Sequence, residues 1–315
     1  MRSVLDIPLP LDAQVHRDLA ARFPTVESFL TSRAAPYFRP GQEETQEAVD
    51  ALTRYVQQSI APRVQSGREL LEQFQRTRLL PTGCRSIDEI LLRGGVREEH
   101  HVELVGECGS GKTQLCMQMA AFTALRKERV VYVDTAGSFS WGSFAAMYEA
   151  LPKQSASLAE ARAHLDLYRV FTLRDLLQLL HALSQALAEG DGQTSGRPSL
   201  LLVDSLSFLV SPVMGPGGAD DGHALMICLG RALKALAQRH TLAVITTNHI
   251  VGGSEEAKAA LGESWKVQAN MRIMLSCMGP ALRKATMAAN TLGPCGAAAF
   301  YELSEGGPLA VDAPG

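Results

Sequence analysis

The chain has 315 residues, 46% of them hydrophobic, and a formal net charge of −3. That length suffices for one large core and a small satellite domain. The slightly acidic balance excludes a surface that holds nucleic acid or an anionic membrane by bulk charge alone. No apolar run approaches the ~20 residues that cross a bilayer, and the stretch from Met1 to Gln14 has no signal-peptide apolar region. Six cysteines (Cys84, Cys108, Cys116, Cys228, Cys277, Cys295) form no Cys-x-x-Cys pair. They predict a reducing compartment and small buried thiols, without disulfides or zinc.

Residues up to about 75 read as helices only. Leu11, Val15, Leu19 and Phe23 recur at helical spacing, with Asp12 at the start and Pro24 at the stop. A short helix is expected over Val26–Leu30. Ala48, Leu52, Tyr55 and Val56 mark another stripe, closed by Ala61-Pro62 and Ser66-Gly67. Leu70, Leu71 and Phe74 suggest a last short helix. The expected division is a helical domain over 1–62, a linker over 63–78 and an α/β core over 79–315.

Beyond residue 80, β-rich runs alternate with helical stripes. The runs are His101–Val105, Arg129–Val133, Leu167–Phe171, Leu200–Val203, Leu242–Ile245 and Arg272–Leu275. Between them, Leu115, Met119 and Phe122 form one stripe, Leu176, Leu180, Leu183 and Leu187 a second, and Leu225, Leu229, Leu233 and Leu236 a third. This order predicts parallel βαβ units in an open, twisted sheet. Residues 189–198 read as a polar surface loop, and Ala297–Leu303 followed by Gly306-Gly307-Pro308 as a hairpin-like end.

Gly-Glu-Cys-Gly-Ser-Gly-Lys-Thr, Gly106 to Thr113, fills the pattern G-x-x-x-x-G-K-[ST] between an expected strand and an expected helix. Gly106, Glu107, Cys108, Gly109, Ser110 and Gly111 would turn successive backbone N–H groups toward phosphate oxygens. The helix start adds partial positive charge. Lys112 would bridge the β- and γ-phosphates of ATP, and the Thr113 hydroxyl would ligate Mg²⁺. Asp204 ends the apolar run Leu200–Val203, where open α/β sheets bind ligands. It is the expected second holder of Mg²⁺, against the plainer reading of a loop-start helix cap.

These residues resemble the RecA/Rad-type recombinase family. The resemblance rests on Leu79–Ala120, Val130–Phe139, Ser199–Pro212, Leu242–Ile250 and the Trp-containing segment Ala260–Ser276. Ser-Pro-Val-Met-Gly, His223–Ala237 and Thr-Asn-His-Ile are most similar to eukaryotic paralogues of the D type. The resemblance implies an ATP-dependent, P-loop core and work in homologous-recombination DNA repair. Paralogues of this family form heteromeric complexes that help the main recombinase assemble. The resemblance thus implies other paralogues as partners, one through the N-terminal domain and one through the ATPase core. It also implies a nuclear location and access to single-stranded DNA through the complex. The competing reading is a self-sufficient DNA-dependent ATPase with strand-exchange activity.

Departures from the family pattern favour the complex subunit. Where the family has Asp-Thr-Glu, with Glu orienting the attacking water, this chain has Asp134-Thr135-Ala136. Loss of such a group costs on the order of 10²–10⁴ in rate. Asp134 is a candidate substitute on the same face of the strand, about 7 Å back along the chain. His249 stands where the family has a γ-phosphate-sensing Gln. Its imidazole can donate one hydrogen bond with a pH-dependent charge, or it can be a polar strand end in water. The two expected DNA loops, 211–222 and 251–264, carry Lys258 against Asp220, Asp221, Glu255, Glu256 and Glu263. They lack the cations and aromatic platforms of a single-strand binder. Arg272, Arg283 and Lys284 have two readings, a reach to a neighbour's nucleotide or DNA and a solvated face, and the solvated face is the preferred one. Residues 57–80 hold no Phe-x-x-Ala, the linker peptide of self-polymerising members. The pair His100-His101 reads as structural or surface residues and not as metal ligands, because neighbours on a strand face opposite ways.

Overall fold

A computed structural model describes residues 3–31, 43–59, 65–152, 157–189, 196–214, 219–251, 258–259 and 265–313. The chain divides into two compact units, Met1–Phe74 and Gln75–Gly315.

The first unit begins with α1 (Ala13–Arg22), α2 (Val26–Thr31) and α3 (Glu43–Ser59). The Asp12 side chain caps α1 by accepting the Gln14 N–H at 2.8 Å, satisfying a donor that the helix leaves free. Leu19, Phe23, Val26, Leu52 and Val56 close a separate apolar cluster. Helix α4 (Gly67–Arg76) lies in the stretch expected to be linker. Gly67, read as a breaker, is its first residue. A glycine costs little at a helix end, whereas it costs about 1 kcal/mol in the interior.

In the second unit, β1 (Leu79–Leu80) and β2 (Val96–Arg97) form a small antiparallel ribbon. Next come β3 (His101–Gly106), α5 (Lys112–Leu125), β4 (Arg129–Asp134), α6 (Trp141–Ala150) and α7 (Leu158–Ala163). The chain continues through β5 (Leu165–Arg169), α8 (Leu173–Glu189), β6 (Pro198–Asp204), α9 (Leu206–Val210), α10 (Ala219–His240) and β7 (Ala243–Asn248). Ile250–Val251 (β8) pairs with Lys258–Ala259 (β9). Strands β10 (Met271–Cys277), β11 (Leu282–Asn290), β12 (Ala298–Ser304) and β13 (Gly307–Val311) finish the unit.

Nine strands make one sheet in the order β13-β12-β11-β10-β3-β7-β6-β4-β5. Every pairing from β10 to β5 is parallel, and β10 to β13 are antiparallel. This is the expected mixed α/β, RecA-like architecture with a mostly parallel sheet, preceded by helices. The central strands bury both faces. On β4, Val130 and Tyr132 enter one apolar cluster, Val131 and Val133 the other. That is why these runs read as continuously apolar.

Strand β5 sits two residues earlier than its apolar run suggests. Its register against β4 runs from Val130↔Leu165 to Asp134↔Arg169, so it ends where β4 ends. Phe171 is left 66% exposed. The cysteine expectation needs correction too. Cys84 and Cys116 are buried, but Cys108, Cys228, Cys277 and Cys295 are exposed. No described helix is long and apolar enough to cross a membrane.

Candidate nucleotide-binding site

Strand β3 leads through residues 107–111 into α5. Gly111 supplies the turn, with φ of 93°, a left-handed conformation that a side chain disfavours. Gly106 is required by space. A Cβ there would lie 2.5 Å from the Leu275 carbonyl oxygen and 2.5 Å from Ser110 Oγ. Lys112 is buried, and its ammonium donates to the Gly106 carbonyl at 2.7 Å, the Glu107 carbonyl at 2.8 Å and Ser110 Oγ at 3.4 Å. Burial pulls its pKa down, and the Asp204 charge opposes that. Thr113, one residue further, has its hydroxyl free of hydrogen-bond partners among the described residues.

Asp204 closes β6 and is 2% exposed. Its Oδ1 accepts the Thr247 hydroxyl, and its Oδ2 accepts Tyr132 at 3.1 Å and Ser138 at 3.5 Å. Burial and the Asp204 charge hold the Tyr132 phenol well above its ordinary pKa, so it remains a donor. These donors stabilise a carboxylate that would otherwise be costly to bury. Thr135 and Ser205 lock the ends of β4 and β6 together. Each hydroxyl-to-backbone contact between them is 2.7 Å.

A cavity of about 320 Å³ opens over this cluster, with Lys112, Thr113, Ala136, Ser138, Asp204 and His249 on its wall. Cys108, Gly109 and Gly111 also face it, whereas Gly106, Glu107 and Ser110 do not line it and instead accept from the Lys112 ammonium. Ala136 offers it only a methyl group. Asp134 cannot replace the missing Glu, contrary to the possibility raised by the sequence. Its carboxylate accepts the N–H groups of Ala136, Ser138 and Phe139 at 3.3, 3.0 and 3.2 Å. It holds the turn and is not on the wall of this cavity. His249 is half-buried, with its ring edge-on to Phe208 at 5.4 Å between centroids. Burial first, and the Lys112 charge second, push its pKa below the ordinary value, while Asp204 opposes. The shift favours the neutral ring.

The solvated-face reading of Arg272 and Arg283 is overturned. Arg272 is buried and donates to Glu103 at 2.6 Å. Arg283 is buried and donates to the Gly109 carbonyl at 3.0 Å. A charge on a central strand costs too much to leave without partners. His101 is buried, paired with Thr246 Oγ1 at 2.8 Å, while the His100 ring meets the Glu98 carbonyl at 3.0 Å. Most of the second expected DNA loop, residues 252–257 and 260–264, lies outside the described residues, as do residues 215–218 of the first; of the rest of the first, Ser211–Met214 form a 3-10 turn and residues from Ala219 on belong to α10. Sequence reasoning missed Tyr132, Ser138, Phe208 and Thr247. Thr247 and Tyr132 sit on strands already recognised, and only knowledge of sheet order brings them to Asp204.

Phosphate-type loop, helix start and acidic strand end together define a P-loop α/β protein built on a RecA-like sheet. The Rad51 family profile matches residues 74–279. "DNA repair protein RAD51 homolog 4" of Mus musculus is 34% identical over 214 residues, 67% of this chain and 64% of that protein. The Bos taurus protein of the same description is 33% identical, over 67% of this chain and 65% of its own length. "DNA repair protein RAD51 homolog 3" of Cricetulus griseus is 26% identical over 310 residues, 87% of this chain and 83% of that protein. The alignment thus spans slightly less than two thirds of the first two relatives. The chain belongs to the Rad51 family. Domains of this family bind ATP.

Proposed function

We propose that this chain is an ATP–Mg²⁺-binding recombinase paralogue, a subunit of a heteromeric paralogue complex that promotes recombinase filament assembly in homologous-recombination DNA repair. The observation that carries the reading is the asymmetry of the site. Its phosphate loop is intact, yet the cavity wall has Ala136 where the family keeps Glu, and Asp134 is committed to backbone N–H groups. Such a site binds nucleotide and cleaves it slowly.

The residues fit the nucleotide. Gly106 and Gly111 permit a loop that no bulkier residue could follow. Lys112 is the phosphate cation and Thr113 has an uncommitted hydroxyl. Thr113 and Asp204 would hold Mg²⁺, which neutralises phosphate charge when bound. His249 would donate one hydrogen bond toward the terminal phosphate. The names of the relatives support repair and recombination as the setting, and a nuclear location with it. Other paralogues would meet a helical domain over 1–62 and a core over 79–315, joined by 63–78. Single-stranded DNA would be reached through the complex.

Two measurements test the reading. The purified full chain should bind ATP and turn it over very slowly, with or without single-stranded DNA. Ala136→Glu should raise single-turnover cleavage by about 10²-fold. Rapid DNA-stimulated turnover by the chain alone, with filaments in electron micrographs, would favour the self-sufficient strand-exchange ATPase. Partner capture with wild type and Lys112→Ala, with and without ATP, should show one contact that depends on nucleotide.

A further inference from the structure

A loop that turns its N–H groups toward phosphate must turn its carbonyl groups elsewhere, and those need donors of their own. Two adjacent carbonyls of this loop accept from side chains of the antiparallel strands. Arg283 Nε, on β11, donates to the Gly109 carbonyl at 3.0 Å. Tyr301, on β12, donates its hydroxyl to the Ser110 carbonyl at 3.1 Å. Arg283 and Tyr301 are direct partners in the β11–β12 register, so both side chains leave the sheet on one face.

Arg283 is the unusual member. It is 8% exposed. Its Nη1 donates to the carbonyls of Gly279, Pro280 and Leu282 at 2.8, 3.3 and 3.0 Å. No carboxylate pairs with it among the described residues. A guanidinium keeps its charge under such conditions, and a buried charge without a counter-ion is expensive. Carbonyl dipoles offset part of that cost. An anion arriving on the far side of the loop would offset more.

We propose that Arg283 is a second, recessed cation of the phosphate site, which fixes the Gly109 carbonyl away from the cavity and adds uncompensated positive charge behind the loop. It is a positioning residue acting through the backbone, separate from Lys112, and its ligand class is a nucleoside polyphosphate. This rests on the nucleotide-binding reading above. Its charge predicts a preference that grows with the number of phosphates.

The test compares Arg283→Gln and Arg283→Lys in the full chain, with thermal unfolding to establish that each is folded. Ligand-free hydrogen exchange at residues 107–111 should accelerate about tenfold or more in Arg283→Gln. ATP affinity should fall about tenfold in that variant and ADP affinity less, so the ATP-over-ADP preference shrinks. Arg283→Lys should retain that preference, because charge is kept while the fork is lost. Equal losses for ATP and ADP, or exchange and preference at the wild-type level, would overturn the proposal. A wild-type chain that binds neither nucleotide would instead overturn the nucleotide reading, and the exchange arm would then decide whether Arg283 holds the loop at all.

Discussion

Single residues in this core carry opposite pH signatures. His101 is fully buried, and burial brings its pKa down to about 4. Asp88 is buried against the Thr82 N–H, and burial raises its pKa to about 6. For His101 the unfolded chain binds the proton more tightly, so its neutral form costs nothing above pH ~6.5. Stability is then lost as pH falls toward 4, by about 3 kcal/mol at pH 4. For Asp88 the folded chain binds the proton more tightly, so stability falls as pH rises from about 4 to about 6. The two slopes oppose each other and flatten the wild-type curve. His101→Gln should therefore leave a curve that declines from pH 4 to pH 6, and Asp88→Asn one that rises over the same window. Urea unfolding at several pH values checks both. Parallel curves for the two variants would show that neither group titrates with folding.

At the scale of elements, one buried carboxylate joins strands that the sequence does not connect. Glu103 of β3 accepts Asn248 of β7 at 2.9 Å, Trp265 at 2.7 Å and Arg272 of β10 at 2.6 Å. Glu103→Ala would strand the Arg272 guanidinium, which costs about 3–5 kcal/mol. Glu103→Gln keeps the size and an acceptor and should cost less. Denaturant unfolding monitored through Trp265 emission, in a Trp141→Phe background, measures both. Equal stability of Glu103→Ala and wild type would dismiss the network. The network also explains what was illegible in the sequence. The phosphate loop, Asp204 and the central strands were legible because loop motif and apolar runs are local signals. Strand β11 was not, since its inward positions are Arg283, Ala285 and Met287, a weak β pattern. Arg272 and Arg283 looked like surface charges because their partners, Glu103 and the Gly109 carbonyl, are about 170 residues away in the chain. Helix α6 begins at a Ser140 cap ahead of a short apolar stretch and gives no long stripe to read.

For the whole molecule, the apolar clusters describe two separate folding problems. One cluster runs from Val4 to Val56, and the two that flank the nine-stranded sheet begin at Leu80 and end at Tyr301. A unit with its own closed core should fold without its neighbour. The larger unit has a nine-stranded sheet whose central strands are covered on both faces, and it contains the whole candidate nucleotide site. Among the described residues the smaller one has helices and one isolated bridge, Ser3↔Thr25, and at that size its core supports only marginal stability. Heating should therefore resolve two transitions in the full chain, and a chain reduced to Gln75–Gly315 should keep the larger one. Circular dichroism gives the midpoints, and binding of a fluorescent ATP analogue gives the state of the site. The truncated chain should melt within a few degrees of the main full-length transition, and the analogue should raise that midpoint by the same increment in both. Loss of cooperative melting on truncation would mean that helices before Gln75 complete the core of the larger unit. Retained melting with lost binding would mean instead that they order the phosphate loop.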